Sequence, residues 1–140
     1  AQVVHQELQV FKAQLVHKAV KDRLVRLEMA TFALRDAVNL SAQALPYGED
    51  EFLHAGVTKA PCIDAPGPRV AESPATLECV VTEIVALKGG KSHVVFGEVT
   101  GVHMRDDYLR EGRFELGLFE PLARLGYRDY ARISEPFELK

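Results

Sequence analysis

The stretch that decides the fold runs from residue 76 to 104, TLECVVTEIVALKGGKSHVVFGEVTGVHM. In its first half, residues 76–87, apolar Leu77, Cys79, Val81, Ile84 and Val85 are interleaved with polar Glu78, Thr82 and Glu83. Alternation with a period near two puts successive side chains on opposite faces of a strand. The second half, residues 92–104, is rich in β-branched and aromatic side chains and carries Gly97 and Gly101 inside it. Between the halves, Lys88-Gly89-Gly90-Lys91 tolerates the positive φ of a tight turn. The two runs predict an antiparallel hairpin across Gly89-Gly90. Glycines within a strand mark a bulge, a barrel corner or a place where another group approaches the backbone.

Upstream the texture changes. From residue 2 to 29 there is neither Gly nor Pro, and Val4, Leu8, Phe11, Leu15, Val16, Ala19 and Val20 fall at helical spacing. Residues 1–30 are therefore predicted as an amphipathic helix packed on the core, since two heptads are too few for a coiled coil. A second, short helix is expected over residues 31–44, with Thr31 as its N-cap. Leu45-Pro46-Tyr47-Gly48 breaks it, and residues 49–55 offer one more helical turn ended by Gly56. Residues 61–74 hold four of the seven prolines and read as an extended connection along the surface. The tail is loop-like, with a short run at 122–125 and a strand-like end at 136–139.

With 140 residues, 47% hydrophobic and 26% charged, the chain has the size of one domain and can bury a core. Seventeen Lys and Arg against twenty Asp and Glu give a net charge of −3, without the basic excess that grips nucleic acid through phosphates. Charges interrupt every apolar stretch before the ~18 residues of a membrane span. Cys62 and Cys79 make no disulfide framework and read as reduced thiols, which points to the cytoplasm. No secretory leader is read at the start, and the first residue is Ala1 rather than Met.

Ordinary chemical motifs are missing. His5 and His17, His93 and His103, and the two cysteines are all spaced too widely for a zinc site, so no metal is expected. Ser41, Ser73, Ser92 and Ser134 sit in no nucleophile elbow, and Gly89-Gly90 belongs to no phosphate loop. Glu78 and Glu98, on neighbouring predicted strands, are either an acid–base pair or, the blander reading, solvated strand residues.

What the chain does carry is a series of stretches: LRDAVNLSAQALPYGEDEF (34–52), AGVT (55–58), RVAESPATLEC (69–79), VVFGEVTGVHMRDDYL (94–109) and PLARLGYRDYARISEPFEL (121–139). Their order, an ESP-x-x-x-EC strand, a GEV-x-x-VH strand and an RLG-x-x-Y-A tail, resembles the flavin reductase-like family of FMN-binding split-barrel proteins. The resemblance covers residues 34–139, about three quarters of the chain. It implies a mainly β fold with flanking helices, a split β-barrel incomplete or diverged at its N-terminus, in a single domain. It implies FMN, or FAD, as cofactor, NADH or NADPH as reductant, a homodimer, and a partner monooxygenase that takes the reduced flavin. A non-enzymatic flavin-binding or dimerising protein of the same fold is the alternative.

The resemblance also nominates residues. His103 of GEV-x-x-VH would lie near the flavin or nicotinamide and be the catalytic residue; the alternative is an exposed or hydrogen-bonded strand-end histidine. Arg124, Gly126 and Tyr130 of RLG-x-x-Y would meet a phosphate or carboxylate and pack on a ring; the alternative is a turn with a surface salt bridge and a core aromatic. Asn39 and Ser41 lie where the family approaches its cofactor, although helix capping also explains them. Family members precede this region with strands that hold the FMN phosphate and end in Lys-Asp-Thr. Lys21-Asp22 echoes that element, with Arg23 where the Thr would stand. Lys21, Arg23, Arg26 and Arg35 remain to hold a phosphate as point charges, so the numbered chain is expected to bind FMN weakly or not at all and a longer form well.

Overall fold

The computed structural model describes residues 2–4, 24–88 and 93–139. In chain order the strands are β1 (Gln2–Val4), β2 (Leu24–Glu28), β3 (Lys59–Ala60), β4 (Arg69–Val70), β5 (Ala75–Ala86), β6 (His93–Met104), β7 (Leu109–Arg110), β8 (Arg113–Phe114), β9 (Leu122–Gly126) and β10 (Asp129–Arg132). Two short helices, α1 (Arg35–Ser41) and α2 (Glu51–Ala55), lie between β2 and β3.

The alternating runs form the centre. β5 and β6 pair antiparallel from Ala75↔Met104 to Ala86↔His93, and β2 and β1 flank them in the order β1–β6–β5–β2. The Gly89-Gly90 turn lies outside the described residues. The ladder shifts register twice, between Glu78 and Cys79 and between Val81 and Glu83. At the first shift the extra residue is Thr100 on β6. Glu78 and Cys79 are consecutive on β5 and both are buried, so the sheet is covered on both faces here.

Gly97 and Gly101 earn their places by close approach. A Cβ on Gly97 would lie 3.1 Å from the Cβ of Cys79, and one on Gly101 would lie 3.4 Å from the Cβ of Glu78 and from Ile63 Cδ1. The group that comes near the backbone is thus the neighbouring strand.

The helix predicted over residues 1–30 is corrected where the chain is described. Residues 2–4 and 24–28 are strands, with Leu24↔Val80 and Glu28↔Thr76 bounding one ladder and Val4↔Val95 in the other. Val3, Val4 and Val25 suit a pleated surface, and two adjacent strands with free edges override a helical spacing of apolar residues. Residues 5–23 lie outside the described residues.

The other helical expectations hold in shorter form. Thr31 caps a 3-10 turn, Phe32–Leu34, accepting a 3.2 Å hydrogen bond from the Leu34 N–H, and the chain runs on into α1. Asp50 caps α2 through the Phe52 N–H at 3.0 Å, and Gly56 ends it at φ +70°.

The proline-rich connection is not wholly irregular, because Lys59↔Val70 and Ala60↔Arg69 form a small hairpin whose second strand lies in it and whose loop is residues 61–68. In the tail, β9 and β10 make a second hairpin, while residues 133–139 form no strand. A bridge between Thr31 and Pro121 ties this hairpin to the start of the helical region. Buried apolar side chains are Ala55, Ala65, Cys79, Val95 and Phe119. Phe119 gathers Tyr108 and Phe114 around it, with ring centroids 5.1 and 4.9 Å away.

Candidate functional site

Register places six residues on one face of the central sheet. Arg26 and Glu28 of β2 pair with Glu78 and Thr76 of β5, which pair in turn with Gly101 and His103 of β6. Directly paired residues of an antiparallel ladder point to the same side. A face carrying two carboxylates, a guanidinium, a hydroxyl and an imidazole cannot be covered by oil, and what covers it is the proline-rich connection.

That connection has few backbone partners of its own, so its N–H groups need acceptors. Glu78 supplies most of them. The backbone N–H groups of Ile63, Asp64 and Ala65 donate to its two carboxylate oxygens at 2.6, 2.8 and 2.7 Å. His103 Nε2 lies 2.5 Å from Oε1 as a fourth donor. Val70 N–H donates to Glu28 Oε1 at 2.9 Å, and Arg26 donates to the Pro66 carbonyl.

The Glu78 side chain has no solvent exposure. Burial pushes its carboxyl up, but the hydrogen bonds from His103 and the three backbone N–H groups win and hold it down to about 2. Glu28 goes the other way: burial dominates over the Val70 N–H and the charges of Arg26 and Arg69, and its carboxyl is raised.

The sequence motifs now have physical roles. In ESP, Glu72 accepts from the Thr58 N–H at 2.9 and 3.0 Å. Ser73 Oγ accepts from Met29 N–H at 3.1 Å and lies 2.9 and 2.8 Å from the carbonyls of Met29 and Ala75. Ser73 thus stitches the end of β2 to the start of β5, and Glu72 ties the chain before β5 to the residue ahead of β3. The Glu78-Cys79 pair and the Gly97, Gly101 and His103 of the next strand are a single contact set, Gly97 lying against Cys79, Gly101 against Glu78, and the histidine binding Glu78.

His103 closes this set, and among the described residues its Nδ1 makes no hydrogen bond. Its side chain is 18% exposed, and Nε2 is engaged with Glu78. Across the ladder, Thr76 Oγ1 is buried without a hydrogen-bond partner among the described residues. An orphaned buried hydroxyl costs about 1–3 kcal/mol.

On the β9–β10 hairpin, Tyr130 pairs with Arg124 and Asp129 with Gly126, so these three nominated residues do come together. The Arg124 guanidinium stands 5.9 Å from the Tyr130 ring centroid and donates to the Tyr127 carbonyl at 3.5 Å. Gly126, at φ +144°, takes a backbone conformation that other residues rarely adopt. Tyr130 is exposed rather than a core aromatic. Asn39 and Ser41 lie in α1, where Ser41 Oγ donates to the Val38 carbonyl at 3.0 Å.

Lys21 and Arg23 lie outside the described residues. Of the remaining cations expected at a phosphate, Arg26 is committed to Pro66, and Arg35 stacks on Phe32 at 4.5 Å beside Asp36.

One reading is corrected outright. Glu78 is not a solvated strand residue, and it does not face Glu98, which is exposed and pairs with Val80. The signal for it was its pairing with a glycine under a run of unpartnered backbone N–H groups, and single-strand alternation does not reveal that. Among the described residues no group of three His, Cys, Asp or Glu could hold a metal ion, and no helix is long and apolar enough to cross a membrane.

The mainly β domain of paired strands and short helices has the split-barrel fold of known structures. The split barrel domain of a Shewanella frigidimarina protein superimposes with a TM-score of 0.81 at 17% identity, over 99% of this chain and 75% of that one. Residues 11–130 match the model of the flavin reductase like domain, and the chain belongs to that family. The match begins upstream of residue 34, where the recognisable motifs start.

Nitrilotriacetate monooxygenase component B from Bacillus cereus is similar in structure, with a TM-score of 0.80 and 25% identity over 90% of this chain and 64% of that one. An uncharacterised protein of Halalkalibacterium halodurans is 33% identical over 108 residues, 74% of this chain and 52% of its own length. The chain spans about half the length of the curated relatives it matches.

A flavin asks for aromatic or apolar contact along its ring and hydrogen-bonding groups at its polar edge. The described residues fit that demand at two places: the partly exposed ring of His103, and the exposed Arg124–Tyr130 stack.

Proposed function

We propose that the protein is an NAD(P)H-dependent flavin reductase that uses FMN, with FAD as the second candidate. The observation that carries this reading is His103, held by a buried carboxylate on the central sheet of a flavin reductase-like domain, with one ring nitrogen left to act. When bound, the flavin supplies the hydride-accepting and electron-passing chemistry. His103 orients the reacting partners and holds or moves a proton at its Nδ1. Tyr130, stacked under Arg124, lies along a ring face, and Gly126 shapes the turn beside it. Arg124 and Lys21 meet phosphate charge, and Asn39 and Ser41 offer polar contacts from the end of α1.

The covering loop excludes water from Glu78, which stays ionised beneath it. The similarity to a monooxygenase component B supports a partner oxygenase as the consumer of reduced flavin, in a cytoplasmic homodimer. Purified protein mixed with FMN, or with FAD, should accelerate consumption of NADH or NADPH. Binding of flavin without acceleration by either nucleotide would favour a non-enzymatic flavin protein, and neither binding nor acceleration would overturn the reading.

A further inference from the structure

We infer that Glu78 is a positioning residue for this reaction: it fixes the His103 ring as the Nε2–H tautomer and so presents Nδ1 as the working nitrogen. The inference rests on the flavin reductase reading for its functional half, while its structural half stands alone.

Glu78 is a carboxylate with four donors around it. Oε2 accepts from Asp64 and Ala65, and Oε1 accepts from Ile63 and faces His103 Nε2. An ionised carboxylate is an acceptor only, so the nitrogen 2.5 Å from Oε1 must carry a hydrogen. The three backbone donors hold the carboxylate rigidly, and the carboxylate in turn fixes the ring's orientation. The remaining nitrogen, Nδ1, is then a lone pair when the ring is neutral and a donor when it is charged. Gly101 lies directly across the ladder, and a Cβ there would make ordinary contact with Glu78 Cβ and Cδ at 3.4 and 3.6 Å. A histidine acting alone would not require a buried carboxylate pinned by three amides.

The first test needs no variant. Ring-nitrogen chemical shifts of His103 in the wild-type protein, at a pH where the ring is neutral, should show a protonated Nε2 and a bare Nδ1. The opposite tautomer, or a mixture, overturns the proposal whether or not the protein reduces flavin.

The second test is Glu78→Gln. The amide oxygen takes the Oε2 place, where two backbone N–H groups need an acceptor, and the amide NH2 falls opposite His103 and the Ile63 N–H, which loses its acceptor. The ring must then accept through Nε2 and carry its hydrogen on Nδ1. With that inversion confirmed by the same shifts, kcat for NAD(P)H-dependent flavin reduction should fall by about ten- to a hundredfold while KM for flavin stays within about twofold. An inverted ring with unchanged kcat overturns the positioning role. Should Glu78→Gln fail to fold, the wild-type shifts still decide. A wild-type protein with the expected tautomer and no reductase activity sinks the functional reading and leaves the geometry standing.

Discussion

The Glu78 carboxylate should make the stability of this protein depend on pH in a way that one substitution exposes. Its pKa is held at about 2, against an ordinary value near 4.5. A depression of that size corresponds to about 3 kcal/mol at most. The loop above it is a single layer of chain whose Ile63 is 65% exposed, so solvent screening brings the expected figure to about 1–2 kcal/mol. Because the folded state binds this proton less readily than the unfolded chain, the stabilisation is complete above the ordinary carboxylate pKa. It is lost as pH falls from there through about 2.

Glu78→Gln imitates the protonated form at every pH. Urea unfolding of the two proteins at a series of pH values should therefore show a gap of about 1–2 kcal/mol at neutral pH that closes in strong acid. Glu28, Glu72 and Asp50 titrate in both proteins and cancel in the difference. A gap that stays constant from neutral to strongly acid pH would refute the claim that the charge of Glu78 holds the loop.

Three other substitutions test the sheet and its turns. Gly97→Ala should destabilise by about 1–3 kcal/mol, because its Cβ would meet Cys79 Cβ at 3.1 Å, while Gly101→Ala, at 3.4 Å, should lose less in the same thermal melt. Thr76→Val should be neutral or stabilise by up to about 1 kcal/mol by denaturant unfolding, since the hydroxyl it removes has no partner among the described residues. A clear loss there would mean that the hydroxyl is satisfied after all. Glu111→Asn should raise the melting temperature slightly. Glu111 and Gly112 turn the β7–β8 hairpin at φ +52° and +80°, a pair of conformations that Asn-Gly adopts with about 0.5–1 kcal/mol less strain.

The central hairpin was legible because both of its strands alternate and both glycines fall where the neighbouring strand crowds in. The capped turn of α2 was legible for a similar reason, with Asp50 and Gly56 each doing a local job. The N-terminal region misled because helical spacing of apolar residues says nothing about a partner strand far along the chain. Leu24 to Glu28 meets its partners more than fifty positions away in most of its pairs, and ladder formation decides its state.

Glu78 was misread for the same reason. Its donors come from residues 63–65 and its imidazole from residue 103, and only the folded register assembles them. Arg124, Gly126 and Tyr130 come together because a hairpin sets near neighbours in the sequence side by side.

The most direct test of the account compares wild-type protein with His103→Ala in anaerobic reduction of added FMN by NADH and by NADPH. The account predicts that the wild type accelerates the reaction, and that the variant is slower by about ten- to a thousandfold with little change in flavin affinity. Equal rates in the two proteins, or no acceleration by the wild type with either nucleotide at saturating FMN, would contradict it.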